Sequence, residues 1–320
     1  MTALGGTELL MNRLKEAIDP VLLENFQIIP TRLTEPLRDD KVRIAYIHDL
    51  ADDPQVAYLD KGGWKKFHLI VFVSNWQMQS FITKFKIPWT KCVVIENSIL
   101  PIEDVDFNKP KDTIRLIYTP TPHRGLNILL PAFMELQKQF PNLQLDVFSS
   151  FELYGWKERD KEYENLFQIC RDHPNINYHG SQPNEVVREA LKNSHIFVYP
   201  SIWTETSCLC LIEAMSAGLI CVHSNLGALF ETAANLTFQY QYQDDPRNHL
   251  TAFLEVARMA ISELQNDNPN LIMRAKTQKM YTDQIHNWNF RKLQWQNLLG
   301  SMANLPREFE KEDIVFDYRT

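Results

Sequence analysis

The chain has 320 residues, 44% of them hydrophobic and 23% charged, enough apolar material for one large or two ordinary domains and too much for a disordered chain. A net charge of −7 argues against a general nucleic-acid binder, and five cysteines without a Cys-x-x-Cys point to buried free thiols rather than zinc or disulfides. Glycine is scarce, with 10 residues, and neither Gly-x-Gly-x-x-Gly nor Gly-x4-Gly-Lys-Ser/Thr occurs, so any phosphate must be held without those loops.

In chain order, helical periodicity at Thr7–Ile18 precedes β-branched runs at Phe26–Ile29 and Val42–Ile47. Leu69–Ser74 and Cys92–Ile95 read as further strands, with a helix over Gln77–Phe85 between them. Leu100 to Thr113 holds two prolines and four acidic residues and reads as a linker. Strand patterns then restart at Ile114–Tyr118, Leu143–Phe148, Ile176–His179, His195–Tyr199, Leu219–His223 and Leu236–Tyr240. Helices fit Leu126–Phe140, Lys157–Cys170, Asn184–Asn193 and Leu209–Ala217, and the chain is helical from His249 onward, ending in an acidic tail over residues 308–317. Alternation of this kind predicts an α/β protein with parallel sheets. The expected division is 1–108, 109–285, and a helix and tail over 286–320 that returns to the first domain, with a cleft where the carboxyl ends of both sheets face each other.

Charge divides the chain as well. Residues 60–91 carry six lysines against one aspartate, interleaved with Trp64, Trp76 and Trp89. This stretch reads either as a solvated face over buried tryptophans or as a contact for an anionic acceptor or a membrane surface. No basic-then-apolar leader opens the chain, and the near-apolar run Cys208–Val222 is too short for a membrane span and contains Glu213, so a cytoplasmic protein, peripheral to a membrane at most, is expected.

The stretch Pro200–Gly218 carries the chemistry. A strand ends at Tyr199, a loop carries Glu205, and Thr206 or Ser207 is placed to cap a helix containing Glu213. The first amides of that helix, near Cys208 and Leu209, have no partner within it, and with the helix dipole they form an anion site that needs no glycine. Glu213 lies roughly 9 Å further along the axis at 1.5 Å per residue, where a carboxylate could accept from the ribose hydroxyls of a nucleotide whose diphosphate sits at the helix mouth. Glu205, ahead of the cap, would face the group on the far phosphate. As a surface residue of an amphipathic helix Glu213 would have polar neighbours, yet Leu211, Ile212, Ala214 and Met215 surround it.

Glu205-x7-Glu213, within Pro-Ser-x3-Glu-x7-Glu-Ala-Met-x-x-Gly, resembles the signature of the retaining GT-B glycosyltransferases known as family 4, or glycosyl transferases group 1. Other blocks match in order: Gly5-Gly6-Thr7-Glu8, Val73-Ser74, Val93 to Ile99, Arg124-Gly125-Leu126, His179-Gly180, and Asn225-x-Gly227-x3-Glu231. The resemblance implies two Rossmann-like domains and transfer of a hexosyl group from a UDP-, GDP- or ADP-sugar to an acceptor hydroxyl, with retention and with no metal or other cofactor. It further implies that Glu213 holds the ribose and the Thr206–Leu209 amides (Thr206, Ser207, Cys208 and Leu209) hold the diphosphate, with Arg124 neutralising it. Gly6 would let the backbone approach the same group, and Glu205 and His48 would contact the transferred sugar.

The sequence also departs from the family. Tyr118 to Arg124 is short and offers one firm cation where the family has two, and the family's first strand normally precedes Gly-Gly, where only Met1–Leu4 stand. Asp104-Val105-Asp106 has the form of a metal-binding Asp-x-Asp but lies in the acidic linker rather than after a strand, where such triplets arise by chance, and the His48-Asp49-Asp52-Asp53 cluster could be drawn as a metal site but is explained equally well by a polar loop. A binding module without catalysis and a GT-B-like nucleotide-sugar isomerase remain the alternatives.

Overall fold

A computed structural model describes residues 6–307; Met1–Gly5, including the first glycine of the Gly-Gly pair, and the acidic tail from residue 308 lie outside it. The chain packs as two units: Gly6–Ser98 with the segment from Trp288 onward, and Ile99–Asn287.

In the first unit α1 (Gly6–Ala17) carries Glu8 in its first turn and Lys15 in its last, matching the helix dipole, and buries Leu10 and Leu14. A short α2 (Pro20–Leu23) starts on Asp19, whose carboxylate accepts from the Val21 amide. Strands β1 (Phe26–Pro30) and β2 (Val42–Ile47) follow, and all six β2 residues are buried, as a strand covered on both faces requires. Then come β3 (Leu69–Phe72), α3 (Asn75–Phe85), capped by the Ser74 hydroxyl accepting from the Gln77 amide, and β4 (Cys92–Val94). The sheet is parallel in the order β1-β2-β3-β4. The last helix among the described residues, Trp288–Met302, inserts Trp295 and Leu299 into this unit's core beside Leu14 and Tyr46.

The second unit runs β5 (Ile114–Tyr118), α4 (Leu126–Gln139), β6 (Leu143–Val147), α5 (Glu164–Asp172), β7 (Ile176–Tyr178), α6 (Asn184–Asn193) and β8 (Ile196–Tyr199). It continues with α7 (Leu209–Ser216), β9 (Ile220–Ser224), α8 (Leu229–Ala233), β10 (Phe238–Tyr240), α9 (Pro246–Gln265) and α10 (Pro269–Ile285). Its parallel sheet has the order β10-β9-β8-β5-β6-β7. Strand order therefore reverses between β5 and β8, and the loops leaving these two strands splay around the switch point, where ligands bind in open α/β sheets.

Two expectations need correction. The helix expected over Lys157–Cys170 divides into a 3-10 segment, Lys157–Tyr163, followed by α5. Its first half has no apolar stripe, and Asp160 is engaged elsewhere, accepting from the Ser150 hydroxyl at 2.6 Å and the Phe151 amide at 2.7 Å. The Leu100–Thr113 stretch starts as a packed strap rather than a loose linker. Ile102 is buried, its amide donates to Ser216 Oγ at 2.9 Å, and Arg188 donates to the Leu100 and Pro101 carbonyls at 2.9 and 3.1 Å. Within it Asp104 takes a left-handed φ of 56°, and Asp106 accepts from the Asn108 amide, a turn that uses the Asp-x-Asp carboxylate locally.

Candidate functional site

The loop after β5, Thr119–Gly125, and the loop after β8, Pro200–Cys208, meet at the switch point. Gly125 holds φ at +135°, and a Cβ there would stand 2.2 Å from the Pro200 carbonyl oxygen, so only glycine lets the two loops touch. The Ile202 amide then donates to the Arg124 carbonyl at 3.2 Å. On the opposite side Gly227, at φ +66°, leaves room for the backbone of Glu205, whose carbonyl oxygen would lie 2.4 Å from an added Cβ; the Ala228 amide donates to that carbonyl at 2.8 Å.

Between these clamps Arg124 and Glu205 pair, Nη1 to Oε1 at 2.5 Å, and the Tyr199 hydroxyl donates to the same oxygen at 2.5 Å. Glu205 is 4% exposed. Burial opposes the charge on Arg124 most strongly, but the Glu205 carboxylate together with Tyr154, Tyr199 and Cys208 holds the guanidinium above its ordinary value. Arg124 also lies over the Trp203 ring at 5.7 Å, and His123 stacks on Phe151 and meets Trp203 edge-on. Burial, with Arg124 beside it, takes His123 down to about 4, so it is neutral at pH 7 and adds no second cation. Thr121 Oγ1, His123 Nδ1 and Arg124 Nε are buried with no hydrogen-bond partner among the described residues, a concentration of unmet polar atoms in one loop.

Helix α7 opens beside this pair. Its cap is Cys208, in extended backbone, rather than the expected Thr206 or Ser207, and the Cys208 side chain makes no cap hydrogen bond. The helix starts later than the Thr-Ser pair suggests, and its first-turn N–H groups have no backbone partner within the helix. Thr206, Ser207 and Leu209 are half-buried at the mouth, and Cys208 is buried. Just over one turn in, Glu213 is only 9% exposed, which rules out the surface-helix reading. Its Oε1 accepts from Asn184 Nδ2 at 3.0 Å and lies 3.4 Å from Arg188 Nη1.

The structure thus assembles Arg124, Glu205, the 206–209 mouth and Glu213 in the second unit. Gly6 and His48 belong to the first. Gly6 opens α1, and His48 follows β2, donating its amide to Thr31 Oγ1 at 2.7 Å with its ring against Tyr46. Burial lowers the His48 ring to about 3, so it is neutral at pH 7. Their chain neighbours Thr7, Glu8 and Asp49 line a cavity of about 280 Å³ with Asn12, Lys15 and Arg32. Sequence reasoning missed Tyr199, Trp203, Asn184 and Arg188; only the last two left a signal, a polar pair at i,i+4 on one face of α6. In the 60–91 stretch Trp64 and Trp76 are half-buried, Trp89 is 69% exposed, and Lys84 pairs with Asp52 at 2.8 Å.

The fold is that of the GT-B glycosyltransferases. It resembles a glycosyltransferase from Rickettsia africae (TM-score 0.68, 15% identity, 93% of this chain and 81% of that one). Anabaena HepE, solved with UDP-glucose, is also similar (TM-score 0.60, 15% identity, 82% and 72% covered), as is the pneumococcal O-GlcNAc transferase GtfA, solved with UDP and GlcNAc (TM-score 0.63, 11% identity, 83% and 53%). Residues 102–242, the segment that builds the Arg124–Glu205–Glu213 site, match the glycosyl transferases group 1 family. A phosphatidylinositol N-acetylglucosaminyltransferase component from Arabidopsis thaliana aligns at 26% identity over 168 residues, 52% of this chain and 34% of the relative, so the alignment spans about a third of that protein's length.

Proposed function

We propose that the chain transfers a hexosyl group from a nucleoside diphosphate sugar to an acceptor hydroxyl, with retention of configuration, as a family 4 enzyme. The observation that carries this reading is the placement of a cation, a helix mouth and two buried carboxylates on one switch point. The diphosphate sits at the α7 mouth against the Thr206–Leu209 amides and Arg124, and Gly6 is the first-unit position whose backbone would approach the same group. Glu213 accepts from the ribose hydroxyls. Glu205, fixed through Oε1 by Tyr199 and Arg124, turns Oε2 toward the hydroxyls of the transferred sugar, with His48 as a neutral partner from the first unit. As the bond from the anomeric carbon to the phosphate oxygen breaks, negative charge grows where Arg124 and the helix amides already stand, which is electrostatic stabilisation needing no metal. The acceptor oxygen attacks from the same face, and its proton passes to the departing phosphate oxygen.

UDP-sugars are the first donors to test, because HepE and GtfA were solved with UDP-glucose and with UDP. The cavity beside Gly6 and His48, with Lys15 and Arg32 on its wall, is the acceptor side, and exposed Trp89 beside Lys86 is where an anionic acceptor or membrane surface would make contact. A thermal-shift screen of UDP-, GDP- and ADP-sugars should raise the midpoint with one of them. Glu213→Ala should weaken nucleoside diphosphate binding by about tenfold or more, since hydrogen bonds to a charged group contribute about 1.5–3 kcal/mol. Arg124→Ala should depress turnover more than affinity, and activity should persist in EDTA. Unchanged binding and turnover in both variants refutes the assignment, and donor turnover without any acceptor assigns an isomerase instead.

A further inference from the structure

Two of the five cysteines stand one residue apart at the entrance of α7, Cys208 as its cap and Cys210 as its second residue. We propose that they form a dithiol that a peroxide oxidises to a disulfide, and that this bond distorts the helix mouth and weakens donor binding; the second half rests on the reading that the 206–209 amides hold the diphosphate. Leu209 opens the helix between them, and on a helical path residues two apart have Cα atoms about 5.4 Å from each other. A disulfide spans about 4.4–6.8 Å between Cα atoms, so the backbone can accept it. Both side chains lie against the core of the second unit, Cys208 buried and Cys210 half-buried. The Cys208 thiol donates a hydrogen bond to Cys210 Sγ, and the Thr119 hydroxyl donates to the same sulfur.

The two thiols differ in the way this chemistry uses. The hydrogen bond from Cys208, joined by that from Thr119 and by the charge of Arg124, outweighs burial and holds the Cys210 thiol below its ordinary range. Burial and the bond to Cys210 push the Cys208 thiol well up. Burial also takes Cys92 up to about 11 and Cys170 up to about 12, and raises Cys221. Cys210 is therefore the thiolate that meets the oxidant. Its sulfur attacks one peroxide oxygen, the O–O bond breaks, and the departing hydroxide joins the proton released by Cys210 as water, leaving a sulfenic acid. The Cys208 sulfur then attacks the sulfenic sulfur, and the S–S bond forms as the S–O bond breaks. The hydroxyl leaves as water with the Cys208 proton, so two thiols are oxidised and one peroxide is reduced to water. Hydrogen-bonded sulfurs stand farther apart than the ~2.05 Å of a disulfide, so closure draws Cys208 and the first turn of α7 together.

The test treats the full chain with hydrogen peroxide, then counts thiols after denaturation, maps peptides by mass, and titrates UDP, GDP and ADP calorimetrically. In the parent, free thiols should fall from five to three, with the peptide holding Cys208 and Cys210 lighter by two hydrogens. Affinity for the preferred nucleoside diphosphate should drop about ten- to hundredfold, the scale of a misplacement near 1 Å, and dithiothreitol should restore it. Cys210→Ala should bind like the reduced parent and keep that affinity in peroxide. In Cys208→Ala, Cys210 should become a sulfenic acid that dimedone traps. Five thiols surviving, loss mapped to another cysteine, a Cys210→Ala protein as sensitive as the parent, or a disulfide that leaves affinity unchanged overturns the proposal. If the parent binds none of the three nucleoside diphosphates, the transferase reading falls with the claim about donor binding, while the thiol count and peptide masses still decide whether the dithiol exists.

Discussion

The Arg124–Glu205 pair offers the sharpest test of how the site is built. Arg124→Met leaves the Glu205 carboxylate, 4% exposed, with the Tyr199 hydroxyl as its remaining side-chain donor. Removing one partner of a buried ion pair costs about 3–5 kcal/mol, because the other charge stays desolvated. For a unit the size of Ile99–Asn287, about 2–4 °C of melting temperature per kcal/mol translates this to a fall of about 6–20 °C. Removing both charges, with Arg124→Met and Glu205→Leu together, takes away the uncompensated carboxylate and leaves only the Tyr199 hydroxyl unmatched, a penalty of about 1–3 kcal/mol. The double variant should therefore be more stable than Arg124→Met alone, with a coupling of about 2 kcal/mol or more in a thermodynamic cycle. Scanning calorimetry of the parent, both single variants and the double variant at pH 7, without nucleotide, measures it. Additive losses, or a loss below about 1 kcal/mol in Arg124→Met, would refute the picture of a desolvated pair.

Two further outcomes follow from the same geometry. Gly227→Ala puts a Cβ within 2.4 Å of the Glu205 carbonyl at a φ of +66°, so it should destabilise the chain by about 1–3 kcal/mol and displace Glu205; chemical denaturation and donor turnover should fall together, and a fully active, fully stable variant would contradict the contact. His223 is buried, with Nδ1–H donating to the Ser224 carbonyl and Nε2 accepting from Thr237, and burial takes it down to about 4. The unfolded chain gains this proton below about pH 6.5 while the folded chain stays neutral until near 4, so His223 costs about 1.4 kcal/mol of stability per pH unit as the pH falls through that window. Urea unfolding at pH 5 and pH 7 should show His223→Gln losing about 2 kcal/mol less than the parent between the two, since His123 and His195, also lowered to about 4, contribute the same background to both proteins.

Much of the scaffold is legible in the sequence because its signals are local. Val42–Ile47 and Ile114–Tyr118 are continuous apolar or β-branched runs, and both form strands buried in parallel sheets over those same residues. Asn184–Asn193 is equally plain, a helix with one apolar face. The failures are places where a distant partner overrides local pattern. Asp160 leaves its helical pattern to bind the Ser150–Phe151 turn, and the 54–66 stretch becomes 3-10 helix interrupted by left-handed Lys61 and Gly62, which no periodicity announces. The site divides in the same way. Glu205 and Glu213 share one segment, so their spacing is readable, whereas the Arg124 partner of Glu205 lies 81 residues away and Tyr199 looks like any strand-end aromatic.

The shortage of glycine acquires a structural meaning at this point. A glycine cradle binds phosphate with its own amides, and here glycine has a different task. Gly125 and Gly227 approach no phosphate group in the arrangement described; each lets another backbone come within a distance that any Cβ would forbid, Pro200 in one case and Glu205 in the other. Held from both sides, the 200–207 loop enters α7 through an extended Cys208 whose side chain makes no cap hydrogen bond. The same clamping fixes Glu205 against Arg124, so that the cation is already desolvated and oriented before any anion arrives. On the proposed reading, two glycines placed behind the site position a helix mouth and an arginine for the task that a glycine-rich loop has elsewhere, and the remaining backbone is built from residues that pack a core.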